Sequence, residues 1–415
     1  MNIQTKPSRP DTLAGASPAE IAAEAFSEIA RRLTVERHAD ARAIETEWRL
    51  LEATGAGTIF QRFDWVEAYV RNVAPHEGME PAYLLGRLDG RPAFLLPLGI
   101  RRHGLVRLAH WLGGSHSGYN FGLWSREAAD LMPKLGRGGL RAKLREALRG
   151  VDGAVLERIP LEQDGVPSPL AALASLPSPV MGYSVSLEGG MDEVITRTGG
   201  GARRRRARSK ERRMADIAPV RHGILSDPAE AHEALKFFAE QKALRLAEQG
   251  LPNVFAEPGV MDFFHDLLDR SAGLREPLLQ ITTFDVGGKT RAVIGSGVHA
   301  GRVNLYILTY VHDEMLPHSP GQVLMYRHIE ESCEAGRKVF DFGVGHELYK
   351  ESWADTHIAL CDGYAGFSIP GRLAVAAIFA KDGFKSVLRR NEKLWTMLKS
   401  LRKRDGNAPE TQNAD

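Results

Sequence analysis

Between His318 and Trp353 the chain concentrates residue types that can bind an anion and move a proton. Ser319, Pro320 and Gln322 read as a helix start: serine at the cap, proline where its missing N–H costs nothing, glutamine at the third position of a capping box. The first N–H groups of a helix have no partner inside it, so such a start facing the end of a strand suits a phosphate. Gly321 adds close access to the backbone. A phosphate-bearing cofactor is the first chemistry this suggests, although the same residues also fit a plain capped helix between two strands. Candidate proton carriers follow. Asp341 lies between Phe340 and Phe342, where burial raises a carboxyl, and it reads equally well as a structural carboxylate. Tyr349, Lys350 and Glu347 share the next polar segment, and His312 and His318 flank the loop before the helix.

The elements that must position these residues can be read locally. Val303 to Val311 is an apolar run with strand character. After the loop, Met325, Ile329 and Cys333 recur at a helical spacing of four, and Gly336 is placed to end that helix. Val339 to Phe342 is a second short strand.

Length and composition bound the class. A chain of 415 residues is long for one compact core, so two domains or a duplicated unit is expected. Apolar residues at 43% and charged residues at 26% are values of a soluble globular protein. A net charge of +2 excludes a polyelectrolyte, but basic runs stand near residues 203–213 and 385–404. Cys333 and Cys361 have no metal-ligand spacing and suit a reducing compartment, so neither a metal site nor a disulfide framework is expected. Met1 to Glu20 lacks a signal-peptide layout, and no stretch of 18 uncharged apolar residues occurs, which points to the cytoplasm.

A weak internal repeat decides the expected architecture. Thr58-Ile59-Phe60 before Asp64–Val70 corresponds to Asn253-Val254-Phe255 before Val260–Leu267. The hairpin turning at Asp89-Gly90 corresponds to the one turning at Gly287-Gly288, and Ala154–Glu157 corresponds to Lys338–Asp341. The expected organisation is a disordered leader at 1–17, a first half at 18–185, a second half at 186–368, an amphipathic helical tail at 369–404 and a disordered end at 405–415. Each half is a mixed α/β unit. Where the second half has Ser319-Pro320-Gly321, the first has Gly113-Gly114-Ser115-His116-Ser117-Gly118-Tyr119, which opens no capped helix. One cofactor site in the second half, with the first half shaping a substrate cleft, is the inference.

The ordered set of Phe60-Gln61 with Trp65, the basic helix at 203–213, Ser319-Pro320-Gly321, Phe340-Asp341-Phe342-Gly343 and Tyr349-Lys350 with Trp353 resembles the CelD/BcsL-type acetyltransferases of the GNAT superfamily. The resemblance covers residues 40–370, and it is similar to the FemAB-type transferases in having two GNAT-like halves. It implies a fold of two tandem GNAT-like domains, each a mixed, mostly antiparallel sheet flanked by helices. It implies transfer of an acyl group, acetyl first of all, from acyl-CoA to an amine or hydroxyl, in exopolysaccharide, cellulose or envelope biosynthesis. Carried over, the cofactor contacts are Tyr310, Val311, His318, Ser319, Gly321, Gln322 and Val323. The catalytic candidates are Asp341, Tyr349 and His312, with oxyanion donors near Tyr310 and Val311. Lys350, Glu347 and Trp65 fall on the acceptor side. The family's phosphate loop, Gln/Arg-x-x-Gly-x-Gly/Ala, is matched only at Gly321. That leaves two alternatives: aminoacyl transfer from tRNA, as in FemAB-type enzymes, and a binding or regulatory module with a degenerate groove.

Eight basic residues fall between Arg203 and Arg213, with Glu211 the only acid. They read as a solvated helix, a contact to cofactor phosphate, or a contact to a polyanion; no aromatic residue interrupts the run to stack on bases, and DNA is not expected. The tail's alternation of apolar and basic residues fits packing on the domain or peripheral membrane contact.

Overall fold

The structure, a computed structural model, describes residues 27–390; the leader, the tail beyond Arg390 and the polar C-terminal end lie outside them. The first unit runs β1 (Leu33–His38), α1 (Glu45–Thr54), α2 (Phe63–Asn72), β2 (Met79–Leu88), β3 (Arg91–His103), β4 (Val106–Trp111), α3 (Gly136–Ala147) and β5 (Gly153–Pro160), followed by β6 (Ala174–Pro177). The second runs β7 (Gly182–Ser186), α4 (Gly190–Arg197), α5 (Gly201–Ala215), β8 (Val220–Ile224), α6 (Pro228–Glu248), α7 (Val260–Arg270), β9 (Gln280–Val286), β10 (Lys289–His299), β11 (Arg302–Tyr310), α8 (Pro320–Glu334), β12 (Val339–Val344), α9 (Leu348–Trp353) and β13 (Thr356–Ile358). The strand β14 (Leu360–Gly366) and the helix α10 (Ile369–Arg390) close the described chain.

The repeat seen in the sequence is a repeat of structure. The two principal sheets have the same plan, β1-β2-β3-β4-β5-β14-β6 and β8-β9-β10-β11-β12-β7-β13. In both, a hairpin feeds a third antiparallel strand, and a helix then returns the chain to a parallel neighbour, β5 beside β4 and β12 beside β11. The turn residues Asp89 and Gly90, and Gly287 and Gly288, all have positive φ, as a tight hairpin turn needs. This is a mixed α/β fold of two tandem units, each a mixed sheet flanked by helices, as the resemblance implied.

The units exchange a strand. β7 pairs antiparallel with β12, Val185 opposite Phe340, while β14 crosses back to pair with β5, Tyr364 opposite Val155. A division at residue 185 therefore passes through β7, and the second half read from the sequence includes a strand of the first sheet. Neither sheet is complete without a segment from beyond that point.

The units also share a core. Trp65 and Tyr69 of α2 pack against Phe263 of α7, in one buried cluster with Phe238, Ile281, Val293 and Ile307. The close approach needs Gly259, at φ +78°, where a Cβ would lie 1.8 Å from the Asn72 carbonyl oxygen. On the opposite face of the second sheet, α4, α5 and α8 cover a second cluster that includes Val194, Met214, Val323, Ile329 and Ile294. The second sheet is thus buried on both faces, with α6 and α7 on one and α5 and α8 on the other. Among the described residues no helix is long and apolar enough to cross a membrane.

Candidate active site

The site starts from a parting of two strands. β11 and β12 pair only from Arg302 opposite Val339 to Asn304 opposite Asp341. Beyond that point each strand carries a bulge: Tyr306 is the extra residue of β11 against β10, and Phe342 that of β12 against β7. An unpaired residue bends its strand and re-aims its side chain. Gly343, at φ +73°, turns its N–H back to Asp341 Oδ1 at 2.8 Å instead of across the gap. The parted edges, Leu305–Tyr310 on one side and Phe342–Val344 on the other, line a cavity of about 1090 Å³.

Six basic side chains line this cavity, Arg203, Arg206, Lys210, Lys242, Arg245 and Lys350, against a single acid, Glu347. Arg203, Arg206 and Lys210 come from α5. The helix sorts its basic run: Arg204 pairs with Asp192 and Tyr326, Glu211 takes Arg327, and Arg205, Arg208, Arg212 and Arg213 face solvent. Arg203 lies 3.9 Å over the Trp353 ring and so ties α5 to α9. Burial lowers the Lys210 and Arg203 pKa values, and Arg206 lowers both further.

At the start of α8 the expected capping box is not formed. Ser319 has φ +52°, at the end of the turn Leu316–His318, and its side chain caps nothing. The left-handed backbone carries the hydroxyl away from the helix N–H groups. Ser319 Oγ and Gln322 Oε1 instead take two bonds from Lys210 Nζ, at 2.9 and 3.0 Å. The N–H groups of Gln322 and Val323 bond to the Ser319 carbonyl, and the Gly321 N–H has no acceptor among the described residues. A Cβ on Gly321 would meet the Tyr310 ring at 3.0 Å. The result is a helix start with a free N–H, beside Lys210 and Arg206.

Of the residues expected to bind cofactor, Tyr310, Ser319, Gly321, Gln322 and Val323 line the cavity. Val311 and His318 do not. The Val311 N–H is spent on the Arg291 carbonyl at 2.9 Å, so it is no oxyanion donor, and His318 lies within the turn before the cavity.

The catalytic candidates divide too. Tyr349 lines the cavity; burial pushes its phenol well up, Glu347 adds to this and Arg245 opposes it. His312 is exposed and does not line the cavity; its ring is tilted against that of Tyr310, 5.5 Å away between centres. Asp341 does not reach the cavity. It is fully buried, takes the Tyr119 hydroxyl at 2.8 Å and the Gly343 N–H on Oδ1, and Arg302 at 3.1 Å on Oδ2. Burial raises its carboxyl against the pull of Arg302, the Gly343 N–H and Tyr119. Burial also works against the Arg302 charge, but Asp341 and Asp164 outweigh it and raise that pKa. A carboxylate with every neighbour already in place is a structural strut between the units, not an accessible base.

On the acceptor side, Lys350 and Glu347 line the cavity as a 2.9 Å ion pair, and Lys350 Nζ also donates to the Val344 carbonyl at 2.6 Å. Trp65 is instead core: 1% exposed, edge-on to Phe60 and Phe263 and stacked with Tyr69. Its neighbour Phe60 is the residue that reaches the cavity wall. Gln61 is buried as well, joining Thr58, Tyr119 and Trp48 in a hydrogen-bond network.

Sequence reasoning missed Lys242 and Arg245, on the inner side of α6, and the aromatic wall of Phe255 and Phe264. The spacing of the two basic residues, three apart in one helix, was the available signal. The first unit's loop also enters the cavity, through Ser115, His116 and Gly118. Burial, together with the Arg158 charge, lowers the His116 ring to about 4. Among the described residues no group of His, Cys, Asp and Glu could hold a metal ion.

Comparison with known proteins accords with this geometry. Residues 201–351, from the start of α5 into α9, match the family described as "Acetyltransferase (GNAT) domain". The fold matches that of FemX with a TM-score of 0.56 at 10% identity, over 81% of this chain and 98% of that one. Two further structures align with TM-scores below 0.5. They are the C-terminal domain of a putative lysylphosphatidylglycerol synthetase from Agrobacterium fabrum (0.48, 11% identity, 81% of this chain and 96% of that one) and a tandem GNAT protein from the clavulanic acid biosynthesis pathway (0.44, 12% identity, 80% and 99%). No curated protein matches the sequence significantly. The GNAT similarity thus falls on the unit that carries the cavity, in a chain of two repeated α/β units.

Proposed function

We propose that this chain moves an acyl group, acetyl in the first instance, from acyl-CoA to an amine or hydroxyl held in the same cavity. The observation that carries the reading is the parting of β11 from β12 next to the open start of α8, with Lys210 and Arg206 beside it. A pantetheine arm fits the gap between the strand edges, and a diphosphate fits the free Gly321 N–H and the two cations.

The chemistry asks for positioning, a proton acceptor and oxyanion donors. The acceptor's nitrogen or oxygen attacks the thioester carbonyl. The C–S bond breaks, the acyl group passes to the acceptor, and the thiolate leaves to take up a proton. Glu347 is the carboxylate that lines the cavity and takes the acceptor's proton. Backbone N–H groups on the unpaired β11 edge, past Asn304, face the place where the oxyanion forms. An acceptor from exopolysaccharide or envelope synthesis is what the resemblance to the CelD/BcsL-type enzymes suggests.

Aminoacyl transfer from tRNA is a second reading with one observation in its favour. Arg205, Arg208, Arg212 and Arg213 form an exposed basic face that a CoA donor does not need. Calorimetry with acetyl-CoA and with bulk tRNA separates the two. Micromolar binding of acetyl-CoA with no salt-sensitive tRNA binding is the expected result. Failure of acetyl-CoA to bind overturns the acyl-CoA reading.

A further inference from the structure

The cavity passes through the sheet and is basic at both ends. On the α5 and α8 face it meets Arg206, Lys210 and the Gly321 N–H, the group of donors already matched to a diphosphate. On the α6 and α7 face it meets Lys242, with Phe255 and Phe264 beside it, and Arg245 reaches from α6 to the Tyr310 ring, which packs with the α5 and α8 cluster. The sheet itself, at the bulged residues Tyr306 and Phe342, lies between the two ends.

The second pair of cations has no counter-ion among the described residues. Neither Lys242 nor Arg245 makes a hydrogen bond or an ion pair among the described residues; Lys242 Nζ lies 6.0 Å from the centre of the Phe255 ring, and the Arg245 guanidinium 4.7 Å from that of Tyr310. Lys350 cannot be counted with them, since Val344 and Glu347 already satisfy it. Burial lowers the Lys242 pKa, and Arg245 and Lys350 lower it further, with Glu347 alone opposing. Two cations taken partly out of water without a counter-charge are held at a cost that a bound anion removes. An anion there would make charge-assisted hydrogen bonds to both.

We propose that the acceptor is itself an anion, and that Lys242 and Arg245, carried by the helix on the other face of the sheet from α5, grip its carboxylate or phosphate group. This rests on the acyl-CoA reading above. The body of the acceptor lies on Phe255 and Phe264, and its nucleophile points into the gap toward Glu347. Both residues are specificity-determining: they hold a part of the acceptor that does not react.

Matched amines test this by calorimetry on protein saturated with CoA: glucosamine 6-phosphate against glucosamine, and phenylalanine against phenylalaninamide, with inorganic phosphate as the minimal probe. Inorganic phosphate and at least one charged member are expected to bind, the charged member 10-fold or more tighter than its neutral partner. The two pairs distinguish a phosphate from a carboxylate. Lys242→Met and Arg245→Met are each expected to erase that preference, and Lys242→Met is expected to change CoA affinity less than 2-fold. Equal binding within both pairs, no anion binding to the CoA-saturated protein, or a 10-fold loss of CoA affinity in Lys242→Met each overturns the proposal. CoA is titrated first and alone. If CoA does not bind, the donor reading falls, whereas phosphate binding that is lost in Lys242→Met and kept in Lys210→Met still establishes the second anion end.

Discussion

The Tyr119 hydroxyl donates to Asp341 Oδ1 at 2.8 Å, joining a loop of the first unit to β12 of the second. Arg302 completes the junction on the other carboxylate oxygen. Removing one partner leaves the other buried and unpaired. Asp341→Ala is expected to cost about 3–5 kcal/mol of stability, and Tyr119→Phe about 1–3 kcal/mol. Urea denaturation checks both, and the double variant should lose less than the sum because the residues share one network. Acetyl-CoA affinity of folded Tyr119→Phe should stay unchanged, since neither group touches the cavity.

The donor end gives a binding prediction. Lys210 is held by Ser319 and Gln322 beside the open start of α8. Lys210→Met should raise the acetyl-CoA Kd by about 10-fold, the worth of one charge-assisted contact. Gly321→Glu should abolish binding, because it places a side chain against Tyr310 and a negative charge where the diphosphate would lie. Circular dichroism should show the fold retained in both, with calorimetry reading the affinity.

Glu347 gives a kinetic one. With an acceptor that supports turnover, Glu347→Gln should lower kcat by about 10²-fold or more, as expected for a lost general base, with the acetyl-CoA Kd within 2-fold of the parent. Thiol release in steady state measures this. An unchanged kcat would move the base elsewhere.

The helix pair between the units depends on one glycine. Gly259→Ala adds a Cβ at φ +78° that collides with the Asn72 carbonyl. The expected loss is about 2–4 kcal/mol, more than backbone strain alone gives, because α2 and α7 must part. A lowered urea midpoint with unchanged slope is the reading to look for.

Acid should weaken the fold in a defined window. Burial lowers the His328 ring from the ordinary 6.5 to about 4, and His110, His116 and His299 to about the same. Between pH 6.5 and 4 the unfolded chain takes up protons that these rings refuse. Stability is therefore complete above 6.5 and falls as the pH drops toward 4, with about 1.4 kcal/mol per pH unit from each ring. His328, between Ser296 and Thr282, is the deepest of them. His328→Asn should make the loss per pH unit smaller, read from urea curves at pH 7, 5.5 and 4.5.

Much of the architecture was legible in the sequence because it is written in local signals. Paired hairpin turns, repeated helix starts and the helix from Pro320 ended by Gly336 all depend on residues near one another in the chain. The donor loop was legible for the same reason: Ser319, Gly321 and Gln322 lie together in sequence and line the cavity together. What tertiary structure alone decided is where side chains from distant segments meet. Asp341 and Trp65 are types that could serve a site, but Tyr119 with Arg302, and Phe60 with Phe263, enclose them in the core. Lys242 and Arg245 read as ordinary surface cations until α6 is laid over the parted strands. The capping box failed because one backbone torsion at Ser319, set by the turn before it, gave its hydroxyl to Lys210. The sequence determined which units form, whereas packing between distant segments determined which charges lie in the cavity without a partner.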